Sequence, residues 1–126
     1  MIMGVRIAAA NVRLKRAYEP ATPGDGPRIL VDRLWPRGVS KADAALDGWD
    51  KDVAPSPSLR KWFGHDPARW AVFQQRYAVE LGGRGAALER LRALARAQPI
   101  TLVYAARDQA HTHAIVLRRV LLGRDP

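Results

Sequence analysis

Residues Ile100–Thr101–Leu102–Val103–Tyr104–Ala105–Ala106 decide the reading of the fold. The run is β-branched and aromatic, carries no charge, and is apolar on both of its alternating sets. A strand wet on one face would alternate, so this one belongs in the middle of a covered sheet. Pro99 opens it and the polar turn Arg107–Asp108–Gln109–Ala110–His111–Thr112–His113 closes it. A second short apolar run, Ile29–Leu30–Val31, reads as another buried strand and leads straight into Asp32–Arg33–Leu34–Trp35–Pro36–Arg37–Gly38. Upstream, Val12–Tyr18 starts as an alternating strand, and Glu19–Pro27, with three prolines and two glycines, reads as a loop.

The segments between the strands have helical signals. Ser40–Lys41–Ala42–Asp43 resembles a capping box with Asp at its third helical position, and predicts a short helix stopping near Gly48. Ser56–Pro57 and Asp66–Pro67 each pair an N-cap residue with proline at the first helical position. The first of these helices holds Leu59, Trp62 and Phe63 and stops at Gly64. The second places Trp70, Phe73, Tyr77 and Leu81 on one face and stops at Gly82–Gly83. Leu88, Leu91 and Leu94 mark a further helix, and a last one runs from about Thr112 to Leu122. Strands alternating with helices predict an α/β fold: a single domain over residues 1–126, with a mainly parallel sheet covered by helices.

A chain of 126 residues suits one domain. Hydrophobic residues are 48% and charged residues 26%, ordinary values for a folded protein. No cysteine is present, so disulfides, thiolate metal sites and a cysteine nucleophile are excluded, and a cytoplasmic location is expected. No apolar run is long enough to span a bilayer, and the start MIMGVRIAAANVRLKR does not read as a signal peptide. The net charge of +9 suits a polyanionic partner. Against that, the arginines are scattered and outnumber lysines seventeen to four, the pattern of a GC-rich coding sequence.

In a parallel sheet, ligands bind beyond the carboxyl ends of the strands. The two strongest strands therefore aim their trailing polar segments at one edge, joined by Trp62–Phe63–Gly64–His65–Asp66. Asp32 and Asp108 are the acid/base candidates there, with His65 and His111 as proton carriers. Arg33, Arg37 and Arg107 suit an anionic ligand through the guanidinium fork. Trp35, Trp62 and His113 complete the expected binding set. The plainer alternatives are that Asp108 caps the last helix, that Asp66 caps its own, that Asp32 and Arg33 form a structural pair, and that the tryptophans are core. His111-x-His113 matches no named metal motif, and no metal or cofactor is expected. No G-x-G-x-x-G, P-loop or G-x-S-x-G sequence occurs.

The blocks Leu30–Gly38, Val53–Ser56, Leu59–Pro67, Tyr104–Asp108 and His111–Ala114 together resemble the YeaO-like branch of the domain-of-unknown-function family 488. The resemblance runs from about residue 12 to 122 and implies a small, soluble, bacterial-type α/β protein. It implies no reaction. Thr112 stands where these relatives usually carry Asn, and the cysteines of other branches are absent here. The expected function is a strand-end cleft for a small anionic, phosphate- or nucleotide-like ligand, with hydrolysis or group transfer as the chemistry if the protein is an enzyme. The alternatives are a nucleic-acid module using Arg84, Arg90, Arg92 and Arg96, and a non-catalytic interaction protein. No membrane partner is expected, and the oligomeric state is left open.

Overall fold

The structure, a computed structural model, describes residues 6–123. The expectation that the start is not a signal peptide falls partly on residues 1–5, outside the described residues. Among the described residues, four strands form one all-parallel sheet: β1 (Val12–Arg16), β2 (Arg28–Leu30), β3 (Gly48–Trp49) and β4 (Ile100–Tyr104). Their order is β1-β4-β2-β3, so the apolar run that opened the sequence reading is central. β4 pairs with β1 from Val12–Ile100 to Arg16–Tyr104, and with β2 from Arg28–Thr101 to Leu30–Val103. The chain is a single α/β domain.

The described residues form five α-helices: α1 (Lys41–Ala44) between β2 and β3, α2 (Pro57–Phe63), α3 (Trp70–Gly82) and α4 (Gly85–Ala97) between β3 and β4, and α5 (His113–Leu121) after β4. Strand alternation divides the core. Ile29, Val31, Ile100, Leu102 and Tyr104 pack with the apolar stripes of α2–α5, including Phe63, Phe73, Tyr77, Leu88, Leu91 and Leu117. Leu30 and Val103 point the other way, where Ala17, Trp35 and Leu46 cover them. The helices α2–α5 thus share one core, while the second face is closed largely by loop side chains.

The caps act as their residue types require. Ser40 Oγ accepts the Asp43 N–H, Ser56 Oγ accepts the Leu59 N–H, and Asp66 accepts the Ala68 N–H. Two expectations need correction. The helix after Ser40 stops at Ala44, because Ala45 turns left-handed at φ 46°, and Gly48 lies in β3 instead. The segment after Asp66 is first a 3-10 turn, Pro67–Arg69, before α3 begins.

A buried ionic knot ties β1, β2 and the loop between them. Asp25 receives Arg28 Nη1 at 2.7 Å, Lys15 Nζ at 3.1 Å, and Thr22 Oγ1 and N at 2.7 and 3.1 Å. Burial alone would raise the Asp25 pKa, but the hydrogen bonds from Thr22, Lys15 and Arg28 outweigh it and hold the carboxyl well below the usual range. Arg28 also donates from Nε and Nη2 to the Ala44 carbonyl, anchoring α1. Gly26 follows at φ 62°, and a Cβ there would lie 2.0 Å from the Pro99 carbonyl oxygen. Only glycine allows this approach of the loop to the start of β4.

Candidate functional site

The site begins where the β2–β4 ladder stops. Val31 N–H still donates to the Val103 carbonyl, at 3.0 Å. One residue later the Asp32 side chain replaces the backbone, and its Oδ2 accepts the Ala105 N–H at 3.0 Å. The Asp32 carbonyl accepts Trp49 Nε1–H at 2.7 Å, which joins this corner to β3. These bonds aim the Asp32 carboxyl beyond the strand ends.

His113 opens α5 beside it. A carbonyl can only accept, so His113 Nε2 carries the hydrogen that goes to Val31 O at 3.1 Å. The same nitrogen lies 3.4 Å from Asp32 Oδ1. The ring meets the edge of Tyr77 at 5.8 Å, and the Tyr77 hydroxyl donates to the Val53 carbonyl. Burial pushes the Asp32 carboxyl up, against the pull of His113, the Ala105 N–H, Arg60 and His65. Burial likewise pulls the His113 imidazole down, against Asp32 and Val31. Desolvation disfavours the charged form of each.

The turn after β4 builds a second pair. Asp108 Oδ1 accepts the Ala110 and His111 N–H groups at 2.9 and 3.1 Å, and Oδ2 accepts His111 Nδ1–H at 2.7 Å. The His111 hydrogen bond holds the Asp108 carboxyl below the ordinary range. Asp108 therefore caps its own turn. The cap of α5 is Thr112, whose Oγ1 accepts the Ala114 N–H at 3.3 Å. The capping role weighed for Asp108 falls instead to this threonine. Asp32 does not pair with Arg33 either: Arg33 Nη2 donates to the Pro55 carbonyl at 3.3 Å, and its Nε has no partner.

Between these groups lies a cleft of about 550 Å³. Asp32, Arg33, Trp35, Arg37, His65, Arg107, Asp108, His111 and His113 all line it. Nine of the ten residues singled out in the sequence are thus brought together. The tenth, Trp62, does not line it. Its ring lies under the guanidinium groups of Arg76 and Arg69, at 4.5 and 5.4 Å. The cause is helical phase: one residue along α2 turns the direction by about 100°, so Phe63 rather than Trp62 faces the cleft. Trp35 lines the cleft while it packs on the second core and donates Nε1–H to Val39 O at 2.7 Å.

The sequence reading missed Tyr18, Arg60, Phe63 and Phe73 as lining residues. Arg60 and Phe63, three apart on α2, share a helix side, and that spacing was the available signal. Tyr18 donates its hydroxyl to the Arg37 carbonyl at 3.0 Å and steadies that lip. His65 adopts a left-handed backbone at φ 57° directly after Gly64 at φ 55°, an uncommon conformation for a residue with a Cβ. Among the described residues no three histidine or acidic side chains converge on a point suited to a metal ion. No helix among them is long and apolar enough to cross a membrane.

Residues 11–124 match a family model described as the inactive DUF488-N3 subclade. The chain is 48% identical to the uncharacterized protein YeaO of Escherichia coli K12, over 85% of this chain and 93% of that one. It is 46% identical to the uncharacterized proteins Mb3100c of Mycobacterium bovis and Rv3073c of Mycobacterium tuberculosis, over 94% of this chain and 99% of each relative. No solved structure gives a significant match. With matched blocks spanning both trailing segments of the cleft, the chain belongs to the YeaO-like branch of the DUF488 family.

Proposed function

We propose that the strand-end cleft binds a small ligand carrying a phosphate-like anion, and that binding rather than turnover is its role. The observation that carries this reading is the convergence of Arg33, Arg37, Arg60 and Arg107, from three separate segments, on one cleft. Against them stand two carboxyls, one of which is already engaged by His111. Guanidinium groups match phosphate oxygens in geometry and charge, and a concave site of this volume suits a small molecule. The description of the matched subclade as inactive favours binding over turnover. The lack of cysteine supports a cytoplasmic setting.

The test is titration calorimetry with inorganic phosphate and nucleoside monophosphates, repeated on Arg37→Ala and Arg107→Ala. Saturable binding that weakens in both variants is expected. Absence of binding by every phosphate compound overturns the proposal. The catalytic reading assigns acid/base work to Asp32, Asp108, His65 and His111, and phosphorus NMR of the same mixtures checks it. Product that forms with the native chain and not with Asp32→Asn establishes hydrolysis or transfer in place of simple binding.

The nucleic-acid reading has weaker support, because the arginines it needs are occupied. Arg84 donates to the Asp52 and Ala54 carbonyls, and Arg90 lies 3.4 Å from both Asp50 and Asp52. Arg92 caps the end of α5 through the Val120 and Leu121 carbonyls, and Arg96 pairs with Glu89 at 2.6 Å.

A further inference from the structure

The wall of the cleft carries large apolar side chains that the fold leaves uncovered. Leu34 is 56% exposed and Tyr18 is 47% exposed, and both line the cleft. Single exposed apolar side chains are common on any protein, so the signal is that these two share one concave site. Leu34 sits on the segment between Arg33 and Arg37, which line the same cleft. The Tyr18 ring is held in place by two contacts. Its hydroxyl donates to the Arg37 carbonyl at 3.0 Å, and the Arg16 guanidinium lies 4.9 Å from its ring centre. Arg16 is itself fixed, donating from Nε and Nη2 to the Ala106 and Ala105 carbonyls at 2.9 and 3.3 Å, just beyond β4. A half-exposed ring held in this way is ordered before a ligand arrives, so stacking on it costs little further side-chain freedom. The charge beside it is uncommitted: the side chains of Arg37, Arg60 and Arg107 form no hydrogen bond or ion pair among the described residues.

We propose that the cleft takes a phosphate monoester whose other half is a planar aromatic ring, with the anion among the arginines and the ring against Tyr18 and Leu34. This inference rests on the anion-binding reading above and names the second half of the ligand. A ring stacked on tyrosine and packed on leucine takes apolar surface out of water on both partners. Inorganic phosphate or a short alkyl phosphate leaves that surface wet and gains only the charge interaction.

Calorimetry on the full chain with phenyl phosphate, methyl phosphate and inorganic phosphate tests it. Titrations run at about pH 8, above the second phosphate pKa of about 6, give the two esters the same charge. The native chain is expected to bind phenyl phosphate roughly tenfold more tightly than methyl phosphate. Tyr18→Ala and Leu34→Ala should each narrow that ratio to about threefold or less, while Tyr18→Phe keeps the ring and should retain most of it. The ratio is taken within each protein, so a change in anion affinity common to both esters cancels. Equal binding of the two esters by the native chain overturns the ring inference and leaves the anion reading standing. A ratio undiminished in both alanine variants overturns the assignment of the ring to Tyr18 and Leu34. No binding of any probe, inorganic phosphate included, overturns the anion reading itself. The ratio in the native chain decides the ring inference even if an alanine variant does not fold.

Discussion

Removing the Asp25 carboxylate by Asp25→Ala should destabilise the protein severely, although Asp25 is remote from the chemistry proposed for the cleft. The side chains of Asp25 and Arg28 are 7% and 3% exposed, so the variant leaves a guanidinium group in the interior without its counter-charge. Arg28 keeps the Ala44 carbonyl for Nε and Nη2, but Nη1 loses its acceptor. Breaking one side of a buried pair costs about 3–5 kcal/mol. That is a large share of the ~5–15 kcal/mol that holds a typical domain folded. For a chain of this length it should lower Tm by roughly 10–25 °C. Urea denaturation at neutral pH measures it. Asp25→Ala combined with Arg28→Met should recover most of the loss, since removing both ions also removes the cost of burying them. A single variant within about 1 kcal/mol of the native chain would refute the reasoning. Acid supplies a second readout. The folded pKa lies below the unfolded value of about 3.9, so the carboxylate's contribution is complete above that value. It is lost as pH falls through it toward the folded pKa. The native chain should therefore lose stability below about pH 4 more steeply than Asp25→Ala does.

Asp32→Asn should keep the fold and lie within about 1 kcal/mol of native stability at pH 7, because an amide carbonyl can still accept the Ala105 N–H. The folded Asp32 pKa is raised, so its stabilisation is complete below the unfolded value near 3.9 and is lost as pH rises through the folded value. Urea denaturation across that window should show this slope in the native chain and lack it in the variant, while unfolding of the variant at pH 7 would make Asp32 structural. Gly26→Ala should cost more than the ~1–2 kcal/mol of a left-handed backbone alone, since the new Cβ meets the Pro99 backbone. A melting curve that matches the native one would show that the loop yields freely. Duplex DNA should bind weakly, with a steep salt dependence in fluorescence anisotropy. Tight binding at physiological salt that is indifferent to sequence would instead favour a general nucleic-acid binder.

Much of this protein follows from local chemistry. The apolar runs at Ile100–Tyr104 and Ile29–Val31 have no stable place except inside a sheet, and they became its two paired central strands. Ser56, Asp66 and Gly64 mark helix limits because capping is a contact between near neighbours in the chain. The position of Asp32 and Asp108 on one cleft follows from the same logic, since adjacent parallel strands deliver their next residues to one edge. β3 was not legible: two residues, Gly48 and Trp49, carry no periodicity, and they form a strand only because the free edge of β2 is there to pair. Trp62 and Phe63 are neighbours of similar character, and the docking of α2 decides which one meets the cleft. The Asp32–His113 contact and the lining roles of Arg60 and Phe73 likewise join segments distant in the chain. Sequence by itself determined which residues must be buried, capped or placed at strand ends, because those preferences act over a few residues. Tertiary structure alone decided which polar groups found partners and which, like Asp32 Oδ1, did not, because that depends on how separate helices and strands pack against one another.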